Sequence, residues 1–154
     1  MTGAESGDCR FEFRLLGPLE VLRDGEPLKV TGGRQRALLS LLVVHANEFV
    51  STDRIVEELA LSEASGTGVN AIQATVSRLR RLLDAGLASD GGSGVLVTER
   101  GGYTLRVGRD WVDAGRFERL TAEGRRALAG GHAATAAAKL RQALDLWRGP
   151  ARKV

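Results

Sequence analysis

A chain of 154 residues, 43% of them apolar, can hold one domain of ordinary size or a small domain with an appendage, and it carries too much apolar surface to be disordered throughout. The formal net charge is only +3, but charge is segregated: Glu57, Glu58 and Glu63 precede a stretch, 69–83, that holds arginines and no acid, and such local segregation steers toward a polyanion. One cysteine, Cys9, excludes an internal disulfide and a thiolate zinc site; with no long apolar run and no basic-then-apolar leader, a soluble, cytoplasmic protein that does not enter the membrane is expected.

Residues 1–10 are small and polar and are expected to form a mobile tail. Phe11–Leu16 alternates until Gly17-Pro18 breaks it, Leu19–Leu22 follows, and Pro27–Val30 comes after Asp24-Gly25. Short runs divided by such dipeptides predict a small antiparallel meander. Arg34–Ala46 is densely apolar, with Leu38, Leu41, Leu42 and His45 on one face and Leu39 and Val43 widening it, as in a central core helix. Phe49-Val50 is a short extended step. Ser51, Thr52 and Asp53 then offer caps for a second helix over 54–59, with Ile55, Val56 and Leu59 inward.

Residues 62–68 are expected to be a flexible loop leading into a third helix over 69–83, where Ile72, Val76, Leu79 and Leu83 form an apolar stripe. After the Gly/Ser link at 91–94, two alternating runs around Arg100-Gly101-Gly102 predict a β-hairpin over 95–107. Meander, three helices and hairpin in that order make an α+β winged helix-turn-helix over 11–109, with an N-terminal antiparallel sheet and a C-terminal β-hairpin wing. Composition shifts near Asp110. Over 110–154, one stripe (Phe117, Leu120, Ala127, Leu128) and a second (Ala136, Leu140, Ala143, Leu144, Trp147) flank Gly130-Gly131-His132, an αα-hairpin. Such a unit cannot bury both faces alone; in a helical solenoid it would stack on a following repeat.

In a winged helix the third helix enters the major groove and the hairpin reaches the backbone or the minor groove. Opposite the apolar stripe stand Asn70, Gln73, Ala74, Ser77, Arg78, Arg80 and Arg81. Asn and Gln pair bidentately with adenine, Arg with guanine or phosphate. Gln73, Ala74, Ser77 and Arg78 would face bases, Arg80 and Arg81 phosphates; a solvated basic face is the other reading of the stretch, and a solvent-facing charge the other reading of Arg81. Arg100 at the hairpin tip, with Thr98 beside it, can enter a narrow minor groove or pair with phosphate. Tyr103 reads as a packing residue with a hydroxyl handle. Arg34 and Arg36 open the core helix after Thr31-Gly32-Gly33, which suits either a phosphate site or simple capping and solvation. His45 and His132 lack metal-ligand spacing, and no catalytic triad, carboxylate cluster for magnesium or nucleotide loop occurs, so neither an enzyme nor a bound metal or cofactor is expected.

Several motifs together resemble the Streptomyces antibiotic regulatory protein (SARP) family of transcriptional activators across nearly all of 11–150. They are Phe13-Arg14-Leu15-Leu16-Gly17-Pro18-Leu19-Glu20-Val21, Gly33-Arg34-Gln35-Arg36-Ala37-Leu38-Leu39, Val69-Asn70-Ala71-Ile72-Gln73 with Val76-Ser77-Arg78-Leu79-Arg80, Gly101-Gly102-Tyr103, and Ala143-Leu144-Asp145-Leu146-Trp147-Arg148-Gly149. The resemblance implies an OmpR-type winged helix followed by a bacterial transcriptional activator domain built like tetratricopeptide repeats, present here as its first hairpin. It further implies binding to tandem direct repeats in promoters of biosynthetic gene clusters, assembly of a dimer on that double-stranded DNA, and recruitment of RNA polymerase holoenzyme. By position, Arg78 matches a base-reading arginine, Arg80 a backbone-contacting one and Arg100 the arginine of the wing. The family's second helix usually ends in Leu-Trp before an acidic, proline-containing loop; here Leu59-Ala60-Leu61 and Ser62–Gly66 stand instead, without the Trp that anchors a loop able to touch polymerase. The competing expectations are a degenerate winged helix that binds an acidic protein partner, and a sensor fragment modified or liganded at 62–68.

Overall fold

The computed structural model describes residues 11–59, 67–84 and 94–149. Strands β1 (Phe11–Arg14), β2 (Glu20–Arg23) and β3 (Glu26–Leu28) form an antiparallel sheet in the order β1-β2-β3. Phe13 lies opposite Val21 and Val21 opposite Leu28, so the period-two alternation of the sequence places Phe11, Phe13 and Val21 in the core. Between β2 and β3 both turn residues, Asp24 and Gly25, have positive φ (51° and 85°), the geometry that a two-residue hairpin loop demands and that Asp-Gly supplies cheaply.

Helix α1 (Gly33–Val44) buries Leu38, Leu39, Leu41, Leu42 and Val43 on more than one face, as its dense apolar run requires. The Oγ of Ser51 accepts the Arg54 amide and caps α2 (Thr52–Glu58). Helix α3 (Thr67–Leu83) starts two residues before the expected 69 and takes in the end of the expected loop; the rest of that loop, 62–66, and the Gly/Ser link up to 93 lie outside the described residues. So do the expected tail, 1–10, and Cys9.

The hairpin is β5 (Leu96–Glu99) and β6 (Gly102–Leu105), and the extended step at Val50–Ser51 (β4) joins it in a sheet of order β4-β6-β5. That pairing, Val50 with Tyr103 and Ser51 with Gly102, ties the wing to the start of α2. Tyr103 and Leu105 face the same core as Leu38, Ile55, Ile72 and Leu79. Asn47, at φ 67°, braces the corner: its side-chain amide donates to the Val107 carbonyl, its side-chain oxygen accepts the Val107 amide, and its backbone amide donates to Leu105.

A 3₁₀ turn at Arg109–Trp111 leads into α4 (Asp113–Ala129) and α5 (Ala133–Leu144), which pack as an αα-hairpin closed by Gly130 and Gly131. Their seam is made by Leu120, Gly124, Ala136 and Ala143, all buried; a Cβ at Gly124 would come within 2.8 Å of the Leu140 side chain. Small residues draw the two backbones together, and the large ones at the helix ends fall outside the seam. Leu128 and Leu144, expected inside, are therefore 60% and 65% exposed, and Trp147 is 43% exposed while meeting Phe117 edge-on at 5.8 Å.

The hairpin docks on the N-terminal sheet. Asp113, 2% exposed, accepts the amides of Leu15 (2.7 Å) and Leu16 (3.0 Å). Phe13 and Val112 form a parallel bridge. Past α5, the Arg148 amide donates to Leu16 and its guanidinium to the Pro18 carbonyl. An alternating chain of charges, Arg148–Glu20–Arg14–Glu12–Arg116, runs over the outside of this contact. Burial pushes the Glu12 carboxyl up, but Arg14 and Arg116 outweigh it and hold the group below its ordinary range.

Candidate nucleic-acid interface

The amphipathic pattern of α3 resolves into two sharply different sides. Ile72, Val76, Leu79 and Leu83 are buried, as is Thr75, whose hydroxyl donates to the Ala71 carbonyl. Asn70, Gln73, Ala74, Ser77, Arg78 and Arg81 are all exposed. Their spacing of three and four residues sets them in one row along a helix of 17 residues, about 26 Å long at 1.5 Å per residue. The polar side chains of this row make no recorded hydrogen bond or ion pair among the described residues, and α3 contains no acid. Amides and a hydroxyl toward the N-terminal half, arginines toward the C-terminal end: the row presents paired donors and acceptors to whatever lies against it. A helix of ordinary diameter fits the major groove of B-DNA, about 12 Å wide.

Three contacts hold this row in place. Arg23 on β2 donates to the Leu83 carbonyl at 3.0 Å, satisfying a carbonyl of the last helical turn. Buried apolar residues fix the inner stripe against α1 and α2. Arg80 is half-buried and turns toward the wing: its Nε and Nη2 donate to the Leu96 carbonyl (3.3 and 2.9 Å), and Nη2 also to the Thr98 hydroxyl (2.7 Å). Arg80 thus stands off the exposed row, and Thr98 is its partner.

The wing tip carries Arg100, exposed and without a recorded partner among the described residues. Gly101 takes φ 82° in the turn, and its carbonyl accepts the Thr52 amide at 2.8 Å, so the tip is tied to the start of α2. At Gly102 a Cβ would run into the Val50 carbonyl and the Phe49 ring, which is why a second glycine follows the first. Tyr103 is buried, as a packing residue should be.

The two arginines at the start of α1 part company. Arg34 is exposed; Arg36 is half-buried and donates to the carbonyls of Leu19 (2.9 Å) and Val30 (3.3 Å), segments that leave and re-enter the N-terminal sheet. Its guanidinium joins strand ends to the core helix, a use that neither capping nor phosphate binding anticipates. Among the described residues Arg23 and Asp113 carry no sequence signal, and Arg148 only its place in the Ala143–Gly149 motif, because each acts on a backbone group far away in the chain.

On the other face of the wing sheet an open cavity of about 520 Å³ lies between Phe49, Arg106 and Trp111. Among the described residues no group of three His, Cys, Asp or Glu side chains could hold a metal ion, and no helix is long and apolar enough to cross a membrane. His45 sits between Glu48 (3.3 Å) and Arg54 (3.2 Å), and His132 is exposed.

Known proteins share both parts of this arrangement. Residues 25–105 match the family described as transcriptional regulatory protein, C terminal, and residues 112–153 match the bacterial transcriptional activator domain. The regulatory protein AfsR of Streptomyces coelicolor is 35% identical over 146 residues, covering 94% of this chain and 14% of AfsR. The regulatory protein DnrI of Streptomyces peucetius is 35% identical over 143 residues, covering 91% of this chain and 53% of DnrI. The solved structure of Mycobacterium tuberculosis EmbR, in complex with a low-affinity phosphopeptide, superimposes with a TM-score of 0.82 at 34% identity over 93% of this chain and 37% of EmbR. The chain thus spans about half, or less, of the length of these relatives. Winged helix and helical hairpin occur here in the same order as in those regulators, and the chain belongs to the transcriptional regulatory protein, C-terminal family, in its SARP branch.

Proposed function

We propose that this chain binds promoter DNA sequence-specifically and activates transcription of secondary-metabolite biosynthetic genes. The observation that carries the reading is the exposed row Asn70, Gln73, Ala74, Ser77, Arg78 and Arg81, unpaired among the described residues, on a helix free of acids and backed by the core. Seated in the major groove, Gln73, Ser77 and Arg78 read base edges and Arg81 meets phosphate, while Arg100 reaches the flanking minor groove or backbone. Arg34, exposed at the start of α1, adds a phosphate contact.

Residues 11–109 form the DNA-binding unit and 110–154 the beginning of the activator domain, which the Asp113 and Arg148 contacts hold at a set angle to it. Two copies bind tandem direct repeats head to tail, and the assembly recruits RNA polymerase. In vitro selection of bound duplexes, followed by titration over a salt series, tests the reading. Paired repeats spaced by about one helical turn, bound with a steep salt dependence, are the expected result. Binding that is blind to sequence, or an acidic protein that competes for the same row while duplex DNA does not, would overturn it.

A further inference from the structure

The resemblance to known regulators assigns Arg80 to the DNA backbone, but its guanidinium faces the protein. Strand β5 lies at the edge of its sheet, and Val95, just before it, already gives its carbonyl to the Arg106 amide. Antiparallel pairing alternates, so the carbonyl of Leu96 turns to the open edge, where an unsatisfied acceptor needs a donor. Arg80 supplies it through two nitrogens and reaches on to the hydroxyl of Thr98, two residues along on the same side of the strand. A planar fork that engages two residues of one strand constrains both the position and the tilt of that strand. A lysine, with a single point of charge, cannot do the same.

Arg100 follows Thr98 by two residues, and the next residue, Gly101, is held by the Thr52 amide. The wing tip is therefore pinned from both sides, to α2 through its backbone and to α3 through Arg80. On α3, Arg80 lies beside Arg81 and three residues beyond Ser77, next to the row that faces outward.

We infer that Arg80 is a positioning residue that fixes the wing arginine relative to the base-facing row, so that the two grooves are read as one rigid unit. The inference rests on the reading of α3 and the wing as a DNA interface, but the staple itself exists in the free protein. Without it, Arg100 would have to be ordered at the moment of binding, at an entropic cost that weakens the complex.

The test combines Arg80→Lys, Thr98→Val and Arg100→Ala, singly and as the Arg80→Lys/Arg100→Ala pair, titrated against the duplex that the wild-type chain selects. Amide exchange at 96–101 is measured in the free proteins, and urea unfolding checks that each variant folds. Arg80→Lys is expected to weaken binding several-fold, no more than Arg100→Ala itself, although its charge is kept, and to speed exchange across the wing. Thr98→Val is expected to move both readouts in the same direction by less. In the Arg80→Lys background, Arg100→Ala should add little further loss, since the wing is already unplaced. Wild-type affinity and wing exchange in Arg80→Lys would overturn the inference, because a plain phosphate contact is satisfied by either cation; so would strict additivity with Arg100→Ala. If the wild-type chain selects no duplex, the interface reading fails. The exchange data then decide the staple alone, unchanged wing protection in both Arg80→Lys and Thr98→Val counting against it.

Discussion

Helices α3 and α4 are both 17 residues long and both rich in arginine, yet they dispose of their charge in opposite ways. On α4, Arg116 reaches Glu12, and Arg119 pairs with Asp110 and Glu123; Glu123 also takes Lys139 from α5. On α3 no acid occurs, Arg80 directs its donors to the wing, and Arg78 and Arg81 are exposed with no partner among the described residues. Arg125 and Arg126, near the far end of α4, are exposed, and the ion pairs of this helix lie on the part that faces the N-terminal sheet and α5. Charge that is neutralised inside the molecule holds two units together; charge with no counterion among the described residues is available to an outside partner. The two helices can therefore be disturbed separately, one through assembly of the fold and the other through binding.

The largest effect is expected at the first residue of α4. Asp113→Ala removes the acceptor of two backbone amides at a buried joint, which leaves both N–H groups unsatisfied and should lower stability by roughly 3 kcal/mol. Urea unfolding measures it. Retention of wild-type stability would mean that the joint between the sheet and the helical hairpin does not depend on that carboxylate. Next comes Arg78→Ala on α3, which should leave stability unchanged and cost about 10- to 100-fold in discrimination between the selected duplex and a scrambled one. Anisotropy titrations of both duplexes check it, and equal loss on the two would move Arg78 from base reading to phosphate contact.

How these roles could be read in advance differs between the two helices. The α3 row was legible in the sequence because its six positions repeat at helical spacing within one element, and the Asp24-Gly25 turn because its chemistry is local. Strand β4 was legible only as an extended step at Phe49-Val50 and not as a member of the wing sheet, since two residues give no alternation to recognise and their partners lie around Tyr103. Arg36 and Arg80 were assigned outward, but each finds carbonyls 16 or 17 residues away; the direction of a long side chain depends on acceptors that only the folded chain brings near. Asp113 is 98 residues from the Leu15 amide that it accepts. Leu128 and Leu144 fit the apolar stripes of their helices but miss a seam drawn in by Gly124, Ala136 and Ala143, because periodicity gives the direction of a residue and not whether anything lies opposite.

A smaller change is expected from Arg100→Ala. The wing arginine contributes a single cationic contact, so its loss should weaken binding several-fold for all sequences and reduce the slope of log K against log salt by about one. Equal slopes for variant and wild type would place Arg100 away from the DNA. This separates the wing from Arg78, whose loss is read in selectivity.

The smallest effects belong to the charges that are already paired. Burial pushes the Glu12 carboxyl up and Arg14 and Arg116 more than reverse it, so its folded pKa lies below the ordinary value of 4.5. A depressed carboxylate contributes stability that is complete above the unfolded value and is lost as pH falls through the folded one, so the sheet–hairpin contact should hold at neutral pH and loosen only below about pH 4.5. Glu12→Gln should flatten that acid limb of stability while leaving DNA binding near neutrality unchanged; an acid limb of undiminished steepness would assign it to other carboxylates. Glu123 is also held below its ordinary range, by Lys139 and Arg119, but on the surface, where solvent and salt screen such pairs. Arg119→Ala is accordingly expected to shift neither the unfolding midpoint nor duplex affinity measurably. If it weakened duplex binding with a lower salt slope, α4 would be contributing charge to the same partner as α3, and the division between paired and reserved charge would fail there.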